Sequence, residues 1–382
     1  MKILHVFTLF TTAQSFFDGQ FRFLSQNGYE LHLICSPMDG YQSFVDRNNV
    51  VYKSLCIARN ISPLKDLKAV WHICRYIRRN RIKVVMGHTP KGALVAMLAG
   101  FIMRVPYRVY YRHGLVYTTA KGLKRLVLKA EERFVSLLAT RIVNVSPSLS
   151  ALAIKDCLNS ASKQQIIGVG TCGGIDAINK FNPNNLDGAQ LMTYRQYLKL
   201  QANDFVVGFC GRLCRDKGII ELIEGVRLFR ERHPEMSAKL LLVGGFDLRD
   251  ILPASVKEQI LHAPDIISVG QIRQDIEYYY AMMDIFVFPS YREGFGMSVL
   301  EASAMERPIL VSKSHGCVDS IRENETGYYI GISPESICSG IDRLTNPEAR
   351  RKLGQKGRQF VLENYDHTVV WPEVLKFYQS LK

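Results

Sequence analysis

The chain has 382 residues, 47% of them hydrophobic and 22% charged, which is too long for one ordinary core, predicts two domains and excludes a disordered chain. Its charge of +14 is lopsided: residues 1–180 hold 25 Lys/Arg against 9 Asp/Glu, so the first half suits an anionic partner such as nucleic acid, a membrane surface or a phosphorylated substrate. No apolar run reaches bilayer length, the nine cysteines form no Cys-x-x-Cys pair and Met1 leads straight into a strand, so a membrane span, a zinc or disulfide framework and a secretory leader are not expected, and a cytoplasmic location is.

In chain order, residues 3–7 read as a first strand, followed by a loop over 8–15 and a helix through Phe16, Phe17, Phe21 and Leu24 that stops at Gly28. Strands over 30–36 and 50–55, a helix opened by Pro63, a strand over 83–87 and an apolar helix over 92–103 follow. A strand at 105–111, a helix at 122–139 and a strand at 141–145 complete a doubly wound parallel sheet, whose ligands sit beyond the carboxyl ends of the strands. Three such ends carry candidates. Thr12 offers a hydroxyl to an acceptor after the first strand, beside Thr11 and Ser15. After the fourth, the helix amides and Lys91 of His88-Thr-Pro-Lys-Gly suit an acceptor phosphate. His113 follows the fifth.

On the helix at 122–139, Lys121, Arg125, Lys129 and Arg133 recur every four residues, while Leu123, Leu126, Val127, Ala130, Phe134, Leu137 and Leu138 fall mostly on another face at core spacing. With Arg75, Arg78, Arg79, Arg81 and Lys83 nearby, the stripe favours an anionic membrane surface. Gly168-Val-Gly-Thr-Cys-Gly173 matches a dinucleotide fingerprint and follows an expected strand at 165–169. The Asn-rich, Pro-containing segment after it opens no helix, so no dinucleotide site is expected.

The second half repeats the alternation: a helix at 187–198, strands at 204–210, 239–245 and 265–270, and helices at 218–232 and 276–283. Gly211-Arg212 and Lys217-Gly218 join a strand end to a helix start and place two cations five residues apart, donors suited to a diphosphate leaving group. The buried strand 285–288 then leads into Glu293-Gly294-Phe295-Gly296-Met297, where glycines permit close approach and the amides of 295–298 open a helix. Glu293 and Glu301 bracket that anion site, as a nucleotide-sugar with hydroxyls on both sides of its phosphates requires. A strand at 308–312, a loop at 314–317, the segment 326–330, helices from Pro334 and Pro347 and a last helix over 366–381 close the chain.

The pattern Phe-Pro-Ser-x-x-Glu293-Gly-Phe-Gly-x-x-x-x-Glu301-Ala, followed by Arg307-Pro-Ile-Leu-Val-Ser, resembles the signature of the retaining family-4 glycosyltransferases of GT-B fold. Asn60-Ile-Ser-Pro-Leu, His88-Thr-Pro-Lys-Gly, Arg112-His-Gly-Leu and Val145-Ser-Pro-Ser resemble its bacterial branch that builds surface polysaccharides. The resemblance implies an α/β chain of two Rossmann-like doubly wound domains facing a cleft. An acceptor-binding domain would span 1–175, with 366–382 crossing back to it, and a nucleotide-sugar domain 176–365. It implies that Arg212 and Lys217 hold the donor diphosphate, that Glu293 and His113 lie by the donor sugar and that Glu301 binds ribose. Ile272 would touch the base, with Gly211, Gly294, Phe295, Gly296 and Met297 completing the donor site.

The implied reaction is retaining transfer of a hexose or N-acetylhexosamine from a nucleotide-sugar, UDP-linked, to a lipid-linked saccharide on the inner leaflet. No Asp-x-Asp clamp for a divalent ion exists in the sequence, so metal-independent transfer without a cofactor is expected. Two departures stand out: the Gly-Gly pair usual after the first strand is absent, and Glu306-Arg307 occupy a turn where a glycine is usual. A nucleotide-sugar epimerase of the same fold is the alternative enzyme. A nucleic-acid binder is disfavoured because no groove-reading motif or aromatic-basic patch occurs, and a nicotinamide dehydrogenase by the failed fingerprint.

Overall fold

Short apolar runs bounded by turn residues form strands that are buried on both faces, the state that a parallel sheet covered by helices demands. The computed structural model describes every residue except Met38, Asp39, Ile61, Cys172 and Lys382, so parts of the Asn60-Ile-Ser-Pro-Leu and Gly168–Gly173 stretches lie outside the described residues. It divides into two units, Met1–Gly174 with Val370–Lys382, and Ile175–Val369.

In the first unit, β1 (Lys2–Leu9), β2 (Glu30–Ser36), β3 (Val50–Ser54), β4 (Val84–His88), β5 (Tyr107–Arg112), β6 (Arg141–Asn144) and β7 (Gln164–Gln165) form a parallel sheet in the order β3-β2-β1-β4-β5-β6-β7. Strand order reverses beside β1, and the carboxyl ends of β1 and β4 therefore flank the crevice where such sheets take ligands. The loop expected at 8–15 is instead a helix, Phe10–Phe17, followed by a second, Gln20–Gln26. Gly19 breaks the two apart with φ 76°, and a Cβ there would lie 3.1 Å from the Trp371 ring. Tyr41–Asn48 is a helix that apolar spacing did not reveal, because it buries little more than Phe44 and Asn48. The strand expected at 165–169 stops at Gln165, since Gly168 and Gly170 take positive φ.

The helix Gly122–Leu138 buries a different face from the one expected. Leu123, Leu126 and Leu137 are 75, 65 and 71% exposed, and Val127 and Phe134 also face outward. Of the expected face Leu138 is buried, while Glu132, Val135 and Ser136 turn inward in place of the others. The cause is a buried polar cluster: Tyr110 donates to Glu132 at 2.9 Å, and Arg112 lies 3.6 Å from the same carboxylate and donates to Ser136 Oγ at 2.8 Å. A buried guanidinium without those partners would cost several kcal/mol, on the order that outweighs exposing a few leucines.

In the second unit, β8 (Phe205–Cys210), β9 (Ala238–Val243), β10 (Ile266–Ser268), β11 (Ile285–Phe288), β12 (Ile309–Ser312) and β13 (Gly327–Ile330) form a parallel sheet in the order β10-β9-β8-β11-β12-β13. Order reverses between β8 and β11, and the turns after Cys210 and Phe288 therefore meet at its switch point. The helix Ile219–Arg232 buries Leu222, Ile223, Val226 and Phe229, and Pro334–Asp342 and Pro347–Asn364 start at the predicted prolines, capped by the Ser333 and Asn346 side chains. Glu306, standing where a glycine is usual, adopts φ 60°. The turn keeps its left-handed shape without the residue that makes it easy.

Candidate active site

At the switch point of the second unit, the strand ends bring together residues far apart in sequence. Lys217 and Glu293 form an ion pair, with Nζ on Oε1, and both side chains are largely buried. Ser290 Oγ lies 3.2 Å from the same carboxylate oxygen, and the Lys217 ammonium sits 5.0 Å above the Phe288 ring. Burial, joined by the Arg212 charge, brings Lys217 down to about 8. The site therefore holds a largely buried cation already paired with the carboxylate that the family resemblance puts beside the sugar.

Gly218 fixes the approach of these two turns. Its φ is 69°, and a Cβ there would stand 2.2 Å from the Pro289 carbonyl oxygen, so only glycine lets the β8 turn pass against the β11 turn. Gly211 serves the neighbouring β9 turn: a Cβ on Gly244 would lie 1.8 Å from the Gly211 carbonyl oxygen. Arg212 pairs with Asp247 after β9. Burial pushes the Asp247 carboxyl up, but the Arg249 and Asp250 amides and the Arg212 guanidinium outweigh it and bring it down to about 2. Arg292 pairs with Asp216 at 2.5 Å. Asp247, Asp216, Arg292 and Ser290 were not picked from the sequence; the glycine-ended strand before Asp247 was the one signal available.

The helix Met297–Ala304 follows, with Gly296 as its N-cap and no side-chain cap. Of the amides expected to be open, that of Met297 donates to the Phe295 carbonyl at 2.8 Å, which narrows the anion-facing set. Phe295 is buried, and its ring packs on Tyr365 at 5.4 Å. Gly294 abuts the loop after β12, because a Cβ on Gly316 would be 2.6 Å from the Gly294 carbonyl oxygen. Glu301 accepts a 2.6 Å hydrogen bond from the buried Tyr280 hydroxyl, and burial raises its carboxyl above the usual range. Burial also pushes the nearby Cys210 thiol up to about 12, an inert neighbour. Ile272, half-buried, follows β10 on the same sheet edge.

In the first unit, the sheet edge gathers His113, Thr12 and Lys91 differently from expectation. Thr12 rides on the helix Phe10–Phe17. Lys91 is buried and ion-paired with Asp66 of the helix Pro63–Asn80, and the Gly92 amide donates to Thr8 Oγ1 at 3.0 Å. Two of the groups expected to take an acceptor phosphate are thus engaged within the unit. Thr89, at φ 62°, anchors the turn through a 2.7 Å bond to Thr8. His113 Nε2 lies 2.9 Å from His88 Nδ1, which sequence reading had not joined to it.

A family model described as glycosyl transferases group 1 matches residues 204–346, and one described as glycosyl transferase 4-like domain matches residues 15–169. The chain belongs to the glycosyltransferases. The glycosyltransferase is 29% identical over 384 residues to the capsular polysaccharide biosynthesis glycosyltransferase CapM of Staphylococcus aureus, covering 100% of this chain and 98% of that protein. It is 23% identical to the UDP-Gal:alpha-D-GlcNAc-diphosphoundecaprenol alpha-1,3-galactosyltransferase of Escherichia coli, over 96% and 93% of the two. Its fold matches Alr3699/HepE of Anabaena, solved in complex with UDP and glucose, at a TM-score of 0.81 and 18% identity over 100% of both chains. The two parallel-sheet units are those of the GT-B fold. Among the described residues of the glycosyltransferase, no helix is long and apolar enough to cross a membrane.

Proposed function

We propose that this glycosyltransferase moves a hexose or N-acetylhexosamine from a UDP-linked donor to a hydroxyl of a lipid-linked saccharide, with retention at the anomeric carbon and without a metal ion. The observation that carries the reading is the Lys217–Glu293 pair within reach of the Arg212 charge at the β8/β11 switch point. An arriving diphosphate competes with Glu293 for Lys217 and gains Arg212, so charge that grows on the leaving oxygens is met by cations already in place. Glu293, released from Lys217, is left to accept a hydroxyl of the transferred sugar. Glu301 takes the ribose hydroxyls, and the Gly294–Gly296 turn lets the backbone approach. In the step itself the anomeric carbon–oxygen bond to the phosphate breaks, the bond to the acceptor oxygen forms on the same face, and a donor phosphate oxygen receives the acceptor proton. The donor class is supported by the Escherichia coli relative, named for UDP-Gal, and the acceptor class by its diphosphoundecaprenol substrate.

A lipid-borne acceptor needs the enzyme at a membrane surface. Leu123 and Leu126 project outward on the same turns as Lys121, Lys124 and Arg125, Leu137 does so one turn beyond Arg133, and Leu64, Leu67 and Trp71 do so on the same turns as Lys65, Lys68 and Arg75. Both helices pack on Pro90–Ile102. Apolar side chains ringed by cations suit the headgroup zone of an anionic bilayer. Co-sedimentation with phosphatidylglycerol vesicles should be strong and salt-sensitive, and should drop when Leu123, Leu126 and Leu137 are all changed to Ser; equal pelleting of both proteins would remove the membrane role.

The catalytic reading is tested by incubating the enzyme in EDTA with UDP-glucose, UDP-galactose and their N-acetyl forms, with and without undecaprenyl-diphosphate-linked monosaccharides. Extension of the lipid by one sugar, with the donor's configuration kept in the product, is expected. Conversion of a UDP-sugar without acceptor would assign the epimerase chemistry instead.

A further inference from the structure

A cavity of about 290 Å³ opens within the first unit, between the ends of β2 and β3 and the helix Pro63–Asn80. Ile34, 1% exposed, and the half-buried Leu55 give it an apolar floor. Lys53 reaches its rim from β3, and Arg75 and Arg79 from successive turns of the helix, all three exposed. Tyr76 supplies a fixed wall: its hydroxyl lies 2.8 Å from His32 Nδ1, and His32 Nε2 lies 3.0 Å from the Glu30 carboxylate. Glu30, whose charge reaches Tyr76, is also paired with Lys2 at 3.1 Å, so its carboxylate is taken up away from the rim cations.

Among the described residues the charged heads of Lys53, Arg75 and Arg79 have no carboxylate partner, and the Arg75 guanidinium rests 5.9 Å over the Trp71 ring. A solvated basic helix is the plainer reading, and the helix dipole does account for Arg79, which stands in the last turn. It does not account for Arg75 one turn earlier, nor for Lys53 on another element. Like charges four residues apart on a helix repel, and β3 adds a third to them, so the cavity gathers positive potential that a bound anion relieves. The neighbouring face of the same helix is apolar and outward: Leu64, Leu67 and Trp71 are 84, 60 and 57% exposed. At 3.6 residues per turn that stripe borders the face carrying His72, Tyr76 and Arg79, with Arg75 between the two. A free anion makes no use of such a border, whereas an anionic amphiphile does.

We propose that this cavity is a phospholipid headgroup site: Lys53, Arg75 and Arg79 hold the phosphate of an anionic glycerophospholipid, Ile34 and Leu55 receive the headgroup carbons, and the acyl chains lie along Leu64, Leu67 and Trp71. A choline headgroup carries its own cation into a ring of cations and is disfavoured; an uncharged glycerol headgroup is not. The site rests on the membrane role proposed above and goes beyond it. Leucine ridges ringed by cations adhere to any anionic surface, but a cavity with converging donors distinguishes a phosphate from other negative charge. A phosphate held at one point also fixes how the first unit is turned on the bilayer, which adhesion alone leaves free.

The test is co-sedimentation of the full-length protein with phosphatidylcholine vesicles doped either with phosphatidylglycerol or with oleate, which is anionic but has no phosphate, at matched surface potential. The wild type should bind the phosphatidylglycerol vesicles about tenfold more tightly, the worth of charge-assisted hydrogen bonds to one phosphate. Lys53→Gln combined with Arg79→Gln removes two exposed cations and should make the two affinities equal. Lys65→Gln combined with Lys68→Gln removes the same charge from outside the cavity; it should weaken binding to both vesicles and keep their ratio. Equal binding of the wild type to both vesicles, or a ratio that survives Lys53→Gln with Arg79→Gln, overturns the headgroup site and leaves the membrane role in place. No pelleting with either vesicle removes the membrane role and the site with it. Release from phosphatidylglycerol vesicles by inorganic phosphate, at constant ionic strength, would assign the cavity to a free anion and overturn the lipid.

Discussion

At the scale of single residues, the free protein stores its reactive charges in pairs. Lys217 is matched by Glu293 and Arg212 by Asp247, and the pairing with Glu293 is what lets a cation wait in a half-desolvated turn. Because burial has lowered Lys217 to about 8, its grip on a diphosphate depends on pH within an accessible window. The sign follows from protonation: the diphosphate binds the ammonium form, so above pH 8 binding must first take up a proton. UDP affinity measured by calorimetry from about pH 7 to 9.5, where the diphosphate is already fully ionised, should fall by up to tenfold per unit above 8. Lys217→Arg, charged throughout, should flatten that fall. A wild-type profile with no inflection near 8 would place Lys217 away from the phosphates.

Glu301 illustrates how the structure refines the choice of variant. Its carboxylate accepts from the Tyr280 hydroxyl, so Glu301→Ala would strand a buried O–H and cost about 1–3 kcal/mol of stability, confusing folding with binding. Glu301→Gln keeps an acceptor for Tyr280. It should melt within a few degrees of wild type yet bind UDP about tenfold more weakly, the difference between a charged and a neutral hydrogen bond; undiminished UDP affinity would mean that ribose is held elsewhere.

Among the secondary-structure elements, boundaries set by local chemistry were legible and faces set by tertiary partners were not. Pro63, Pro334 and Pro347 open helices as expected, since proline at the first helical position is favourable wherever the helix packs. The Gly122–Leu138 helix has clear apolar spacing, yet that spacing describes a surface, because Glu132 is drawn inward by Tyr110 and Arg112. No periodicity reveals a partner on another strand. The turn at Glu306 shows the reverse case: the family resemblance pointed to glycine, and the backbone takes the glycine-like φ of 60° with a glutamate in place. A left-handed non-glycine residue costs about 1–2 kcal/mol, partly offset by glycine's greater loss of entropy on folding. Glu306→Gly should therefore stabilise the protein by about 0.5–1 kcal/mol in denaturant titrations. Destabilisation would show that the Glu306 charge, felt by the Arg307 and Arg358 guanidiniums, outweighs the strain.

Across the whole molecule, acid bears on the first unit, which holds His5, His88 and His113 as neutral rings far below 6.5. Below about pH 6.5 the unfolded chain binds protons that the folded first unit refuses, so its stability falls with pH, by roughly 2 kcal/mol per histidine at pH 5. Three such rings approach the stability of a typical domain. Hydrogen exchange read by mass spectrometry at pH 5 should show β1, β4 and β5 losing protection before β8 and β11; the opposite order would mean that the buried rings are protonated in the folded state.

The sequence by itself determined the strand-and-helix alternation, the two glycine-bearing turns and the residue types gathered around them, because those depend on spacing along the chain and on local backbone preference. Only the tertiary structure decided which charges meet. Lys217 and Glu293 stand 76 positions apart and His5 and Tyr378 373 apart, and each pair is joined by strand order and helix docking. A hydrogen bond a few ångströms long selects among partners by position in space, and no pattern of neighbours in the chain encodes that directly.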